Sequence, residues 1–345
     1  MSEKMRAIWK RRPGRGIEVG EADIPIIKDD EVLIKVKKRA ICGTDLHIYQ
    51  WNEWSQNRIK PPVIIGHEFY GEIVEIGKNV KEFKVGELVT AEMHVVCNHC
   101  YLCRTGKAHL CENVVILGVD ANGAFADYVA VPALNLWRVK KDIPEEYFAI
   151  YDPFGNAVHT VFEGDMPTKT VLITGAGPIG AMAAGIAKAA GASLVIVSEP
   201  NEYRRDLAKK MGADVVVNPF EENLVEIVME LTDGEGVDNV LEMSGVAPAL
   251  LEGLKAIKKG GILVLLGIFN KDVTVDFNEL IIFKGIKIKG VNGRKMYDTW
   301  YRMDGLLRSG KIDLSPIITH RFPMEEIEKG LLLMEEGKAG KVILT

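Results

Sequence analysis

The sequence predicts an α/β protein: a β-rich, barrel-like first half, then a doubly wound parallel sheet of six strands. Three observations predict it. The first half carries short polar–apolar alternations separated by glycine turns. Beyond residue 152, short apolar runs alternate with helical segments. The first of those runs leads into a glycine-rich turn, Gly175-Ala176-Gly177-Pro178-Ile179-Gly180, that opens a helix.

The amino-terminal Met1-Ser2-Glu3-Lys4-Met5 lacks the apolar core of a secretion signal, so the expected location is the cytoplasm. Glu31-Val32-Leu33-Ile34-Lys35-Val36-Lys37 and Gly71-Glu72-Ile73-Val74-Glu75-Ile76 alternate as half-buried strands do, and Gly77 and Gly86 mark turns. Between these strands stand Cys42-Gly43-Thr44-Asp45-Leu46-His47 and Gly66-His67-Glu68. One thiolate, joined by a histidine and a carboxylate from elsewhere, suits an open, catalytic zinc. Cys42 alone is more often a small buried apolar residue, and His67 alone a structural histidine. Found together, and with a nucleotide fold, they favour metal.

Cys97, Cys100, Cys103 and Cys111 form a C-x2-C-x2-C-x7-C cluster, which suits a closed, tetrahedral structural zinc. This lobe, at about 94–112, has few apolar residues, and metal replaces a core for it. His99 is then a solvated loop residue. The five cysteines are all used, and with no secretion signal they point to metal rather than disulfides.

The six expected strands of the second half are Thr170–Thr174, Leu194–Ser198, Asp214–Asn218, Asn239–Met243, Ile262–Gly267 and Ile286–Val291. Helical segments near Ala181–Ala190, Tyr203–Met211, Leu224–Leu231 and Pro248–Ile257 separate the first five. In the glycine-rich turn, Gly175 permits the tight bend, Gly177 lets backbone approach a pyrophosphate, and Gly180 lets helix pack on strand; Pro178 and Ile179 begin the helix whose free N–H groups meet the phosphates. Glu199 closes the second strand, where it accepts hydrogen bonds from the adenosine ribose and repels a 2′-phosphate, favouring NAD over NADP. Arg204 is either a contact for the adenosine half or a helix-surface charge. Leu266-Gly267-Ile268 and Val291-Asn292 end the fifth and sixth strands and are expected to line the nicotinamide half.

The expected division is 1–151, 152–292, and a segment 293–345 that returns to the first domain. Composition excludes other classes. The 345 residues are 47% apolar and 26% charged, with net charge −5. No basic block exceeds Lys10-Arg11-Arg12, which argues against nucleic acid as a partner. The uncharged stretch Val171 to Ala187 is shorter than the ~20 apolar residues of a membrane span and carries the nucleotide pattern.

Gly66-His67-Glu68-Phe69-Tyr70-Gly71, five residues and Gly77 resemble the zinc signature of the zinc-dependent medium-chain alcohol dehydrogenase superfamily. The cysteine lobe and dinucleotide turn follow in that superfamily's order. Within it, the segments Cys42 to Tyr49, Trp51-Asn52-Glu53-Trp54, Arg58 to Pro62, Asp152-Pro153-Phe154-Gly155-Asn156-Ala157-Val158-His159-Thr160, Gly293-Arg294 and Thr299-Trp300-Tyr301 resemble the L-threonine 3-dehydrogenase family.

The resemblance implies a GroES-like catalytic domain beside a Rossmann domain, NAD and two zinc ions as cofactors, L-threonine as substrate and a homotetramer. It implies catalytic-zinc ligands at Cys42, His67 and Glu68, and a proton relay through Thr44 and His47. It places Asp152 near that zinc and leaves open whether the carboxylate coordinates directly or acts from the outer shell. His94 and Arg294 are candidates for substrate contact, Arg294 through its bidentate match to a carboxylate. Two other readings stay open: a zinc-dependent polyol or 2,3-butanediol dehydrogenase, and a catalytically inactive nucleotide-binding protein on the same fold.

Overall fold

The computed structural model describes residues 3–345. The chain forms two compact units. One runs to Asp152 and takes in Ile318–Thr345; the other is Pro153–Ile317.

In the first unit, Lys4–Lys10 pairs antiparallel with Glu18–Asp23 on one side and Val63–Ile64 on the other. A larger sheet is ordered Leu136–Arg138, Leu88–Ala91, Phe69–Ile76, Glu31–Ala40, Lys341–Leu344, Ile318–Phe322. Tyr128–Pro132 also pairs with the amino-terminal part of Glu31–Ala40, whose carboxyl-terminal end pairs with Lys341–Leu344. Register shifts at Leu33/Ile34 and Val36/Lys38 mark bulges, and bulges bend a strand enough to serve two neighbours. In 31–37, Val32, Ile34 and Val36 enter a core with Phe69, Ile73 and Val89 and Lys35 and Lys37 face water, while Leu33, at the register shift, is buried as well.

The second unit holds six parallel strands in the order Val215–Val217, Leu194–Ser198, Thr170–Thr174, Val237–Glu242, Ile257–Leu265, Lys287–Gly290. The order reverses between Thr170–Thr174 and Val237–Glu242, the switch point at which such sheets bind dinucleotides. Helices Pro178–Ala189, Glu202–Met211, Leu224–Leu231 and Ala247–Ala256 make the crossovers. The strand Ile257–Leu265 starts earlier than its apolar run: Ile257 pairs with Val237, the chain then bulges through Lys258, Lys259 and Gly260, which has φ +77°, and pairing resumes between Ile262 and Asn239. A wide helical turn, Asn278–Ile282, lies between the last two strands. Residues 293–317, with the buried Trp300 and Met303, count with this unit, and the chain re-enters the first unit only at Ile318. No helix of the described residues is long and apolar enough to cross a membrane.

Candidate active site

The helix Gly43–Gln50 starts at Cys42, whose backbone N–H donates to Asp45 Oδ2 at 2.9 Å. This bond fixes the thiol at the helix entrance. The Cys42 Sγ lies 3.7 Å from Thr44 Oγ1. His67 and Glu68 come from the residues just ahead of the strand Phe69–Ile76. Gly66 bends the chain into them with φ +92°, and a Cβ there would lie 2.1 Å from the Phe125 ring, so only glycine fits.

The ligand atoms of Cys42, His67 and Glu68 lie within 4.8 Å of one another. His67 and Glu68 are buried, and His67 Nδ1 has no hydrogen-bond partner. Burial opposes charge on His67, yet Cys42, Asp45 and Asp152 outweigh it and raise the imidazole to about 10. This pocket calls for a cation. Three protein ligands of the S, N and O types are what an open zinc site uses, so the residues present fit zinc. Lys341, from the last strand, donates to Glu68 Oε1 at 2.9 Å and to the Ile41 carbonyl at 2.5 Å.

Beside this group sits a second one. The ligand atoms of Glu92, His94 and Asp152 also lie within 4.8 Å of one another. His94 Nδ1 is 2.7 Å from Glu92 Oε1, and Glu92 is fully buried. Asp152 thus groups with His94 rather than with the Cys42 ligands, although its charge acts on both His67 and Glu68. Sequence reading did not find Glu92, Asp45 or Lys341. An acid within the apolar Val89–Met93 run was the one available signal for Glu92.

His47 lies one turn beyond Thr44 on the same helix, with its outer edge exposed to solvent. Packing on its inner side lowers its pKa from the ordinary histidine value.

The cysteine lobe is preformed for metal. The Sγ–Sγ distances are 3.5 Å for Cys97–Cys111, 4.0 Å for Cys97–Cys103 and 4.0 Å for Cys100–Cys111. A tetrahedron with Zn–S of about 2.3 Å has edges of about 3.8 Å. The separations therefore fit zinc and exclude disulfides, whose S–S length is about 2.05 Å. Backbone N–H groups of Cys97, Cys100, Cys103 and Asn113 point at the sulfurs. Such donors, that of His99 foremost, pull the Cys97 thiol down to about 6. His99 itself bonds the Cys97 carbonyl and is exposed.

In the second unit, the glycines of the dinucleotide turn have three different surroundings. Gly175 has φ +90°. A Cβ on Gly180 would lie 2.0 Å from the Gly175 carbonyl. A Cβ on Gly177 would meet nothing within 4 Å, leaving open space at the start of the helix that Pro178 and Ile179 begin. Glu199 is buried; Oε2 accepts from Ala176 N–H at 2.7 Å and Oε1 from Asn201 N–H at 3.0 Å. Each oxygen keeps a lone pair for a further donor. Arg205 bonds the Glu199 and Pro200 carbonyls, whereas the buried Nε of Arg204 has no partner. Leu266 and Gly267 bond the Glu242 carbonyl, Ile268 is 89% exposed, and Val291 bonds the Leu265 carbonyl ahead of Asn292. Arg294 is buried, and its Nη1 donates to Asn156 Oδ1 at 3.2 Å.

Comparisons with known proteins agree with this geometry. Residues 28–141 match the alcohol dehydrogenase GroES-like domain family, and residues 178–309 match the zinc-binding dehydrogenase family. The chain is 54% identical over 344 residues to an L-threonine 3-dehydrogenase of Pyrococcus horikoshii, covering 99% of each chain. It is 49% identical over 340 residues to the enzyme of that name from Proteus mirabilis, again covering 99% of each. Among solved structures, it resembles an Escherichia coli short chain alcohol dehydrogenase complexed with NADH (TM-score 0.91, 30% identity, 99% of each chain). It also resembles 2R,3R-butanediol dehydrogenase of Bacillus subtilis (TM-score 0.87, 27% identity, 99% of each chain).

Proposed function

The chain belongs to the L-threonine 3-dehydrogenases of the zinc-binding alcohol dehydrogenase family, and we propose that it oxidises L-threonine at the 3-hydroxyl to 2-amino-3-oxobutanoate with reduction of NAD, in threonine catabolism. The observation that carries the chemistry is the open three-ligand group of Cys42, His67 and Glu68. Identity of 48–54% over whole chains to L-threonine 3-dehydrogenases, against 27% to the butanediol enzyme, favours threonine over a diol.

When bound, zinc supplies Lewis-acid stabilisation of negative charge on an alcohol oxygen, and NAD supplies the hydride acceptor. Cys42, His67 and Glu68 hold the catalytic zinc; Cys97, Cys100, Cys103 and Cys111 hold the structural one. The Thr44 hydroxyl, beside the Cys42 sulfur, takes the proton of the substrate hydroxyl as it gives up its own, and His47, at the exit of the relay, delivers a proton to solvent. Asp152 acts from outside the ligand set, in company with Glu92 and His94. The two carboxylates of that group suit an ammonium group. Gly175, Gly177 and Gly180 admit the pyrophosphate, and the lone pairs left on Glu199 accept from ribose hydroxyls while its charge repels a 2′-phosphate.

The active form is a homotetramer in the cytoplasm. The edge strand Lys287–Gly290 has a neighbour on one side only among the described residues, and Phe277, Ile282, Phe283 and Ile288 stand exposed around it, as a subunit contact requires.

The test is NAD reduction with L-threonine, 2,3-butanediol, sorbitol and ethanol, with and without a chelator. Threonine should give the highest kcat/KM, and chelation should abolish the rate. A clear preference for a polyol would overturn the substrate assignment. Full zinc content with no oxidation of any alcohol would overturn the enzyme.

A further inference from the structure

Asn52 belongs to the tryptophan-rich segment and does two jobs with one amide. Its Oδ1 accepts from the backbone N–H of Ser55 at 3.0 Å and caps the helix Glu53–Arg58. Its Nδ2 lies 3.0 Å from His47 Nδ1. The cap settles the orientation of the amide, because an N–H can only be met by the oxygen. The NH2 end therefore faces the imidazole, and an NH2 group can only donate. His47 Nδ1 must be the acceptor, so its proton sits on Nε2.

The backbone holds Asn52 beside His47. Trp51 takes a left-handed conformation (φ 60°, ψ 45°), and the N–H groups of Trp51 and Asn52 both return to the His47 carbonyl, at 2.9 and 3.4 Å. Gln56 Nε2 holds the Trp51 carbonyl at 2.9 Å, and Lys10 Nζ sits 4.7 Å over the Trp51 ring. The Trp54 ring lies 6.4 Å from the imidazole. Charged groups nearby are occupied elsewhere. Asp45 turns back to the Cys42 N–H, Glu335 from the packed helix Ile327–Glu335 is held by Arg15 and Gln50, and Lys10 bonds the Gly14 and Gly16 carbonyls. Glu53 opens the following helix. Among the described residues His47 has no ion pair.

In this arrangement the neutral imidazole has no free lone pair: Nδ1 is occupied by Asn52, and Nε2 carries hydrogen. We propose that Asn52 is a positioning residue that gates proton uptake by His47, which takes a proton only when the Asn52 amide releases Nδ1. The inference rests on His47 being the exit of the proton relay. Asn52 keeps the histidine neutral at pH values where an unrestrained imidazole would begin to charge.

The experiment is the pH profile of kcat at saturating threonine and NAD for the zinc-loaded wild type, Asn52→Ser, Asn52→Asp and His47→Asn. Serine and aspartate both keep a capping oxygen, so the helix survives. Serine removes the donor, and the acid limb should move to higher pH. Aspartate replaces a donor with an anionic acceptor for Nδ1–H, and should move the limb up by about one unit or more. Zinc content and melting temperature should stay at wild-type values. Asn52 variants with the wild-type limb, together with loss of that limb in His47→Asn, would overturn the gate alone. A wild-type limb and turnover in His47→Asn would remove the relay itself, and the gate with it.

Discussion

Replacing Lys341 by methionine tests whether the carboxyl-terminal strand secures the three-ligand site. The Lys341 ammonium is 2.6 Å from Glu68 Oε2 and 2.9 Å from Oε1, and the two side chains are 4% and 0% exposed. Burial opposes its charge, but Glu68, Cys42 and Asp45 prevail and raise its pKa. It also donates to the Ile41 carbonyl, next to Cys42, so one side chain ties together the segments that carry all three ligands. Methionine has similar volume and no charge. It leaves the buried Glu68 carboxylate without its hydrogen-bonded ammonium, with only the His67 imidazole near it, at a cost of up to about 3–5 kcal/mol. At roughly 2–4 °C per kcal/mol, the melting temperature falls by up to roughly 6–20 °C. Melting should be followed after chelation, where zinc cannot replace the lost positive charge. The double variant Lys341→Met/Glu68→Gln removes both charges and should recover more than half of the loss, since most of it belongs to the stranded carboxylate. An unchanged melting temperature in Lys341→Met, or a double variant no more stable than the single one, would refute the reasoning.

Gly177→Ala should melt like the wild type, since its Cβ meets nothing, yet raise KM for NAD about tenfold, equivalent to about 1.4 kcal/mol of binding. Gly180→Ala should do the reverse in kind: its Cβ falls on the Gly175 carbonyl, so unfolding should come earlier by roughly 1–3 kcal/mol or more. Cys111→Ser opens the sulfur tetrahedron; elemental analysis should find the structural zinc lost and the metal at Cys42 retained. Glu199→Gln keeps two acceptor contacts at most and loses the charge, so the ratio of kcat/KM for NAD over NADP should fall, as steady-state kinetics with both cofactors would show.

Much of the site was legible because its chemistry is local in the chain. The cysteine spacing places four sulfurs in one loop, and their separations of 3.5 to 4.0 Å match a zinc tetrahedron. The glycine turn was readable for the same reason: Gly175 has a positive φ, a Cβ on Gly180 would meet the Gly175 carbonyl, and one on Gly177 would meet nothing. The helices and strand runs of the second half followed from apolar patterning, with small shifts such as the bulge through Lys258 to Gly260 that follows Ile257. Arg294 illustrates what pattern leaves out: its burial and its bond to Asn156, 138 positions away, have no signal in the neighbouring residues.

By itself, the sequence determined the order of modules, the metal-binding residue types and the dinucleotide turn, because each depends on neighbours a few residues away. Only the tertiary structure decided how the acids are shared. It set Asp152 with Glu92 and His94, and Lys341 against Glu68 across 273 positions. It also turned Asn52 back onto His47 through the left-handed Trp51. Buried charges and hydrogen-bond directions are settled by which groups meet after water is excluded, and that meeting is a property of the packed chain.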